Sequence, residues 1–190
     1  AKTYPKSNIT CVSNSKIQKA HIEAQAKKNS LNNITVICQD ANDFTIDKIF
    51  DRIISVEMFE HVRNYQAILQ RLASMMHSDS MLLVHHFCHH TLIYPFEESN
   101  SWMAKHFFTG GIMPSEDIFS YFSDDLRVAR QWAIDGNHYA KTCEDWILHQ
   151  DLNKQQVFNV LHQHLPADLA KLQFHRWRMF FMACAELFRF

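Results

Sequence analysis

Short apolar runs that alternate with helical patterns constrain the fold of this chain more than any other feature of its sequence. Each run is bounded by polar or charged residues, which is typical of a buried strand. The runs are Ile9–Val12, Ile34–Cys38, Phe50–Ser55 and Met81–Phe87. Strands that alternate with amphipathic helices imply right-handed βαβ units and a mostly parallel sheet. The sequence therefore predicts an α/β fold with helices on both faces of the sheet.

Polar residues mark where the predicted helices begin. Ser15 and Asn64 each precede a helical pattern, and their side chains can accept hydrogen bonds from the free amides of the first turn. Ser115, with two acidic residues behind it, is a third predicted helix start. The remaining predictions are an aromatic-rich insertion over the site at 91–114, a fifth strand at Val128–Ile134, and helices at Tyr139–His149, Lys154–His164 and Ala167–Phe188.

Three polar side chains follow the third predicted strand directly. Glu57, Glu60 and His61 fall at its carboxyl end, which is where open α/β sheets bind ligands. The i, i+3 spacing would put both carboxylates on one helical face, and a histidine beside them can accept a proton near neutral pH. Acids at a helix start can also simply satisfy the helix dipole. A metal site is a weaker interpretation, because the paired-histidine spacing of zinc helices is absent.

A second polar group lies at the end of the fourth predicted strand. It comprises His85, His86, His89 and His90. Adjacent strand residues point to opposite faces, so these imidazoles cannot all converge on one metal ion. We expect one of them to face the site.

Composition narrows the class of partner. The 19 basic and 20 acidic residues are nearly balanced, which argues against binding to a nucleic-acid backbone and favours a small molecule. No apolar run approaches the roughly 18 residues of a membrane span. The five cysteines never form a CxxC pair, so we expect reduced thiols and a cytoplasmic location. The chain has only three glycines and no GxGxxG pattern. A nucleotide-type cofactor would therefore have to be bound by other groups, or by a glycine loop outside this chain.

Five segments resemble the motifs of one enzyme family and lie in the same order. They are Val12–Gln18, Ser55–His61, Phe107–Ser115, Asn137–Thr142 and Arg176–Phe181. Through them the chain resembles the cyclopropane-fatty-acyl-phospholipid synthase family of S-adenosylmethionine-dependent methyltransferases, and most closely its coclaurine N-methyltransferase-like branch. The resemblance implies a Rossmann-like sheet that lacks its first strand, its glycine-rich loop and its final antiparallel strand. Residues 1–190 are thus expected to form a partial methyltransferase domain, truncated at both ends.

The same resemblance assigns expected roles to individual residues, with S-adenosylmethionine as the cofactor. Ser13, Asn14 and Gln18 are expected at the ribose or methionine part of the cofactor. Asp40 and Ala41 are expected near its adenine, and Val56 is expected beneath it. The residues expected to bind the amine and handle its proton are Glu57, Glu60 and His61, with His85 and Tyr139 as further pocket candidates.

Glu57 separates the two branches that this resemblance suggests. Lipid cyclopropane synthases usually carry a small residue at this position, whereas the amine methyltransferases resemble this chain in carrying Glu. A second carboxylate stabilises a cationic amine but gives no evident help to an apolar alkene. We therefore predict methyl transfer to an amine nitrogen. The alternatives are methyl transfer to a lipid alkene, and a catalytically silent remnant or binding module of the same fold.

Overall fold

The computed structural model describes residues 1–97, 101–108 and 110–190, which form two compact units. The first unit comprises residues 1–96 and 110–128. The second comprises residues 129–190 and the described residues between 97 and 108.

Alternating strands and helices make up most of the first unit. They are β1 (Ile9–Ser13), α1 (Lys16–Lys28), β2 (Ile34–Cys38), β3 (Phe50–Val56), α2 (Tyr65–Ser74) and β4 (Met76–His85). A short antiparallel pair, β5 (Tyr94–Pro95) and β6 (Ile112–Met113), lies within the predicted insertion. The predicted βαβ alternation is confirmed.

Both predicted helix caps in this region are confirmed. The Ser15 hydroxyl accepts a hydrogen bond from the Gln18 amide at 3.2 Å, and the Asn64 side chain accepts one from the Ala67 amide at 3.0 Å. These bonds satisfy first-turn amides that have no partner within the helix. They fix where α1 and α2 begin, and so where the preceding loops end.

The strands form two parallel pairs. β1 pairs with β2 so that Ser13 lies opposite Cys38, and β3 pairs with β4 so that Val56 lies opposite His85. Among the residues that the structure describes, no hydrogen-bonded ladder joins one pair to the other. Because paired parallel strands end at the same edge, the polar residues that follow β3 and β4 are brought together.

One face of the β3–β4 pair is packed and the other is exposed. Phe59, Tyr65, Ile68 and Leu69 are buried in a core against which Leu82 and Val84 pack. Large apolar side chains lie on the opposite face at alternate positions, with exposed fractions of 43–68%: Ile54, Val56, Met81 and Leu83. Side chains alternate between the two faces of a strand, so this pattern leaves an apolar surface within the first unit.

Helices dominate the second unit. They are α3 (Trp102–His106), α4 (Asn137–Leu152), α5 (Lys154–His162) and α6 (Ala167–Arg189), and the three helices predicted for this region are confirmed. Cys143 and Cys184 are buried in its core beside Phe180. Gly136 lies so close to the Phe188 carbonyl that a Cβ atom would collide with it. No helix formed by the described residues is long and apolar enough to cross a membrane.

Three predictions about secondary structure are wrong. Val128–Ile134 is not a strand, and its apolar residues Val128, Trp132 and Ile134 are 49–58% exposed. Ser115 does not begin an α-helix, because its hydroxyl donates to Asp117 at 2.6 Å and only a 3₁₀ turn follows, at Ile118–Tyr121. β4 begins five residues before the predicted Met81 and ends at His85 rather than Phe87.

Candidate active site

Glu57 lies immediately after β3 in a left-handed backbone conformation, with φ of +51°. Residues other than glycine seldom adopt this conformation, which costs roughly 1–2 kcal/mol. Its amide donates to the His85 carbonyl at 2.9 Å, and its carboxylate Oε1 lies 3.0 Å from Nδ1 of the same histidine. Glu57 is thus bound to the end of β4 through both its backbone and its side chain.

Glu60 is buried in the 3₁₀ turn Phe59–His61, with only 1% of its surface exposed. Its Oε1 accepts a hydrogen bond from the Phe87 amide at 2.9 Å, while Oε2 has no hydrogen-bond partner among the described residues. Burial raises the pKa of this carboxyl group to about 7, and the nearby charge of Glu57 adds to the effect. Glu60 can therefore both gain and lose a proton close to neutral pH.

The expectation that Glu57 and Glu60 share a helical face is wrong. Only Glu60 belongs to the short turn, whereas Glu57 precedes it in the left-handed conformation. Glu60 lies in the first turn of this 3₁₀ helix, and its Oε1 is also bound by the Phe87 amide beyond the end of β4. Burial also raises the pKa of Glu57, although His85 and His61 oppose that change.

The four histidines at and after the end of β4 have separate partners. His85 faces Glu57, and the others bind the backbone or a different carboxylate: His86 with the Phe87 carbonyl, His89 with the amides of Thr91 and Leu92, and His90 with Glu116. Of these four histidines, His85 is the one that contacts Glu57. Within the described ranges, no group of three His, Cys, Asp or Glu residues could hold a metal ion.

The end of β1 brings two of the predicted cofactor residues together. The Ser13 hydroxyl donates to the Gln18 side-chain oxygen at 2.6 Å and accepts from the Ser15 amide at 3.2 Å. Asn14 is exposed between them. A polar surface therefore lies where the β1 strand turns into α1.

The end of β2 carries the next two predicted cofactor residues. Asp40 is exposed, and its Oδ1 accepts from both the amide and the side chain of Asn42, at 2.8 and 2.9 Å. The Ala41 carbonyl accepts from Arg71 of α2 at 2.6 Å. Arg71 ties this loop to α2, a contact that the sequence pattern did not predict.

The remaining two predicted residues lie in different units. Val56 ends β3 and is 58% exposed, at the same edge as Glu57. Tyr139 lies on α4 in the second unit, where its ring packs edge-on against Phe188 and Trp146, with centroids 4.6 and 6.0 Å apart. Aromatic packing in that unit accounts for its position there.

The sequence pattern did not identify two residues that support Glu60. The Phe87 amide is a backbone group, so no side-chain pattern could have indicated it. Gly111 lies against the same turn, where a Cβ atom would come within 2.9 Å of the Glu60 carbonyl oxygen. Its signal was available, since Gly111 is one of only three glycines in the chain.

The arrangement at the ends of β3 and β4 suits recognition of a cation that carries a proton. Glu57 is 45% exposed and can attract a positive charge, while the buried Glu60 titrates in the neutral range. Proton transfer requires a group whose pKa lies near the working pH, and Glu60 meets that condition.

Comparison with known proteins gives the chain a family and a set of relatives. The sequence pattern of the mycolic acid cyclopropane synthetase family matches residues 1–190. The (S)-coclaurine N-methyltransferases of Thalictrum flavum subsp. glaucum and Papaver somniferum each share 33% sequence identity with this chain, in alignments that cover 99% of it. The chain spans about half the length of these curated relatives, at 54% and 55%.

A solved structure matches over nearly the whole chain. It is the crystal structure of coclaurine N-methyltransferase bound to N-methylheliamine and S-adenosylhomocysteine. The TM-score is 0.92 at 30% identity, and the match covers 98% of this chain and 57% of the other. The fold is thus the Rossmann-like fold of S-adenosylmethionine-dependent methyltransferases.

Proposed function

This chain belongs to the mycolic acid cyclopropane synthetase family, and from that premise we propose that it is part of an S-adenosylmethionine-dependent methyltransferase acting on a small-molecule amine. The observation that carries the choice of acceptor is the acidic corner, in which a half-exposed Glu57 lies beside a buried Glu60 with a pKa of about 7. An apolar alkene carries no charge for a carboxylate to bind, whereas a cationic amine is stabilised by one carboxyl group and deprotonated by the other.

The strand ends fit the proposed cofactor. Polar side chains suit its hydroxyl and amino groups. The candidates are Ser13, Asn14 and Gln18, between the end of β1 and the first turn of α1, and Asp40 with Ala41 after β2. Val56, exposed at the end of β3, would lie beneath it. When bound, the cofactor supplies a methyl group attached to a positively charged sulfur. As the methyl group is transferred, the sulfur keeps the electrons of the sulfur–carbon bond and leaves as a neutral thioether.

The proposed role of the acidic corner is to prepare the amine. Glu57 holds the protonated amine, and Glu60 takes the proton from its nitrogen, with His61 as the alternative proton acceptor. Only the deprotonated nitrogen has the lone pair that forms the new bond to carbon. The protein's contribution is then positioning and deprotonation, and the reaction itself is a direct displacement. Since two of the matched curated relatives are named for (S)-coclaurine, that amine is the first acceptor to test.

We also propose that residues 1–190 are part of a larger methyltransferase domain in which a further strand lies between β1 and β3. Doubly wound sheets of this type have the strand order 3-2-1-4-5, so two parallel pairs flank a central strand. The two separate pairs seen here fit that order. The exposed apolar residues on one face of the β3–β4 pair also fit a covering segment from the same domain.

Two variants of the full-length protein test the assigned roles. Glu57→Gln keeps the side-chain shape but removes the charge, so we expect KM for the amine to rise roughly tenfold or more. His61→Ala is expected to lower kcat by roughly tenfold or more, since it removes a proton-handling group. His90→Ala is the matched control, because His90 pairs with Glu116. Steady-state methylation assays measure all three, and unchanged constants in both site variants would remove the proposed roles.

A further inference from the structure

His85 is placed to control the carboxylate of Glu57. The two residues are joined twice, by the Glu57 amide donating to the His85 carbonyl at 2.9 Å and by the 3.0 Å contact between Oε1 and Nδ1. A carboxylate accepts hydrogen bonds, so Nδ1 is the donor in this contact. His85 therefore selects one orientation of the Glu57 side chain.

A ligand can reach this pair from solvent. The side chain of Glu57 is 45% exposed and that of His85 is 49% exposed. Glu57 also occupies a backbone conformation that residues with a Cβ rarely adopt, with φ of +51°. Strained residues of this kind cluster at binding and catalytic sites, where the neighbouring contacts hold them in place.

Other titratable groups from the turn after β3 bear on the pair. The charge of His61 acts on Glu57, and the charge of Glu57 raises the pKa of Glu60. His86, adjacent to His85 on the chain, has its pKa lowered by burial and is bonded through Nδ1 to the Phe87 carbonyl. Among these groups, the His85 side chain is seen to contact the Glu57 carboxylate, at 3.0 Å.

We propose that His85 is a positioning residue for amine binding, which holds the Glu57 carboxylate toward the acceptor. The hydrogen bond from His85 fixes the Glu57 side chain and leaves the negative charge of the carboxylate available to a cation. This inference rests on the proposed amine methylation.

Variants at His85 in the full-length protein separate positioning from a merely structural role. His85→Ala removes the donor, so we expect KM for the amine to rise about tenfold while kcat changes less than about twofold. His85→Asn places an amide donor near the position of Nδ1, so we expect KM close to that of the wild type.

The outcomes distinguish this inference from the proposed function. Amine methylation with an unchanged KM in His85→Ala would overturn the role of His85 and leave the proposed function standing. Equal losses in the Ala and Asn variants, or a fall in kcat alone, would also overturn it, because a donor at this position would then be irrelevant to binding. A wild-type protein that methylates no amine would overturn the proposed function, and this inference with it.

Discussion

Replacement of Glu60 by glutamine is expected to lower kcat for amine methylation by roughly 100-fold or more at about pH 8. Glutamine retains an oxygen that can accept the hydrogen bond from the Phe87 amide, so the turn can keep its position. It cannot take a proton from the amine. Steady-state assays of the full-length protein measure the change, and Glu116→Gln is the matched control, since its carboxylate pairs with His90.

The pH dependence of Glu60 gives the same variant a second readout. The pKa of Glu60 is raised from 4.5 to about 7, so its basic form is gained as pH rises through 7, and the wild-type rate should rise with it. The folded protein then binds this proton more tightly than the unfolded chain. Its stability therefore falls as pH rises from 4.5 to 7, and Glu60→Gln lacks that loss.

We accordingly expect Glu60→Gln to be more stable than the wild type at about pH 8, by roughly 1–3 kcal/mol, and to lose this advantage below about pH 4. Urea unfolding at both pH values measures the difference. Low activity combined with higher stability would identify loss of the base rather than loss of the fold. A kcat within about threefold of the wild type would contradict the role of Glu60.

Phe59→Ala is expected to destabilise the first unit by about 3–5 kcal/mol, because it empties a buried aromatic site. Phe59 has no exposed surface, and its ring packs against Tyr65 and edge-on against Phe119 at centroid distances of 5.5 and 5.2 Å. Tyr65 also donates its hydroxyl hydrogen bond to the Phe59 carbonyl at 3.0 Å. The core thus supports the turn that carries Glu60.

Urea denaturation of the full-length protein measures this change, with Tyr4→Ala as the control because Tyr4 is 68% exposed. The control should shift the free energy of unfolding by less than about 0.5 kcal/mol. A loss of less than about 1 kcal/mol for Phe59→Ala would contradict the assignment of Phe59 to the core of this unit.

The local pattern of the first unit could be predicted because its strands and caps depend on nearby residues. Ser15 and Asn64 each meet an amide three residues along the chain, so their caps are visible in the sequence. The early start of β4 was not visible, because Met76–Ser80 is largely polar and is held by distant groups. Phe50 pairs with Met76, and the Ser80 hydroxyl donates to the Phe50 carbonyl at 2.7 Å.

The wrongly predicted strand at Val128–Ile134 shows that residue propensity alone does not establish a strand. Its β-branched and aromatic residues suit a strand, but a strand also needs a hydrogen-bonded neighbour, and that depends on tertiary structure. The chain there carries no regular structure and exposes Val128, Trp132 and Ile134.

The members of the acidic corner could be predicted, whereas their geometry could not. The residue types after β3 indicated proton chemistry. The left-handed conformation of Glu57 depends on its contacts with the end of β4, and the raised pKa of Glu60 depends on burial by the surrounding core. The roles of the predicted cofactor residues and the cytoplasmic location stay predictions.

Transfer of a labelled methyl group from S-adenosylmethionine, with an amine acceptor and phospholipid vesicles containing unsaturated acyl chains offered in parallel, tests the central claim most directly. The full-length protein should label the nitrogen of the amine and leave the vesicles unlabelled, because Glu57 and Glu60 suit a protonated nitrogen. Label in the acyl chains alone would contradict amine methylation and favour methyl transfer to a lipid alkene, and label in neither acceptor would favour a silent member of the fold.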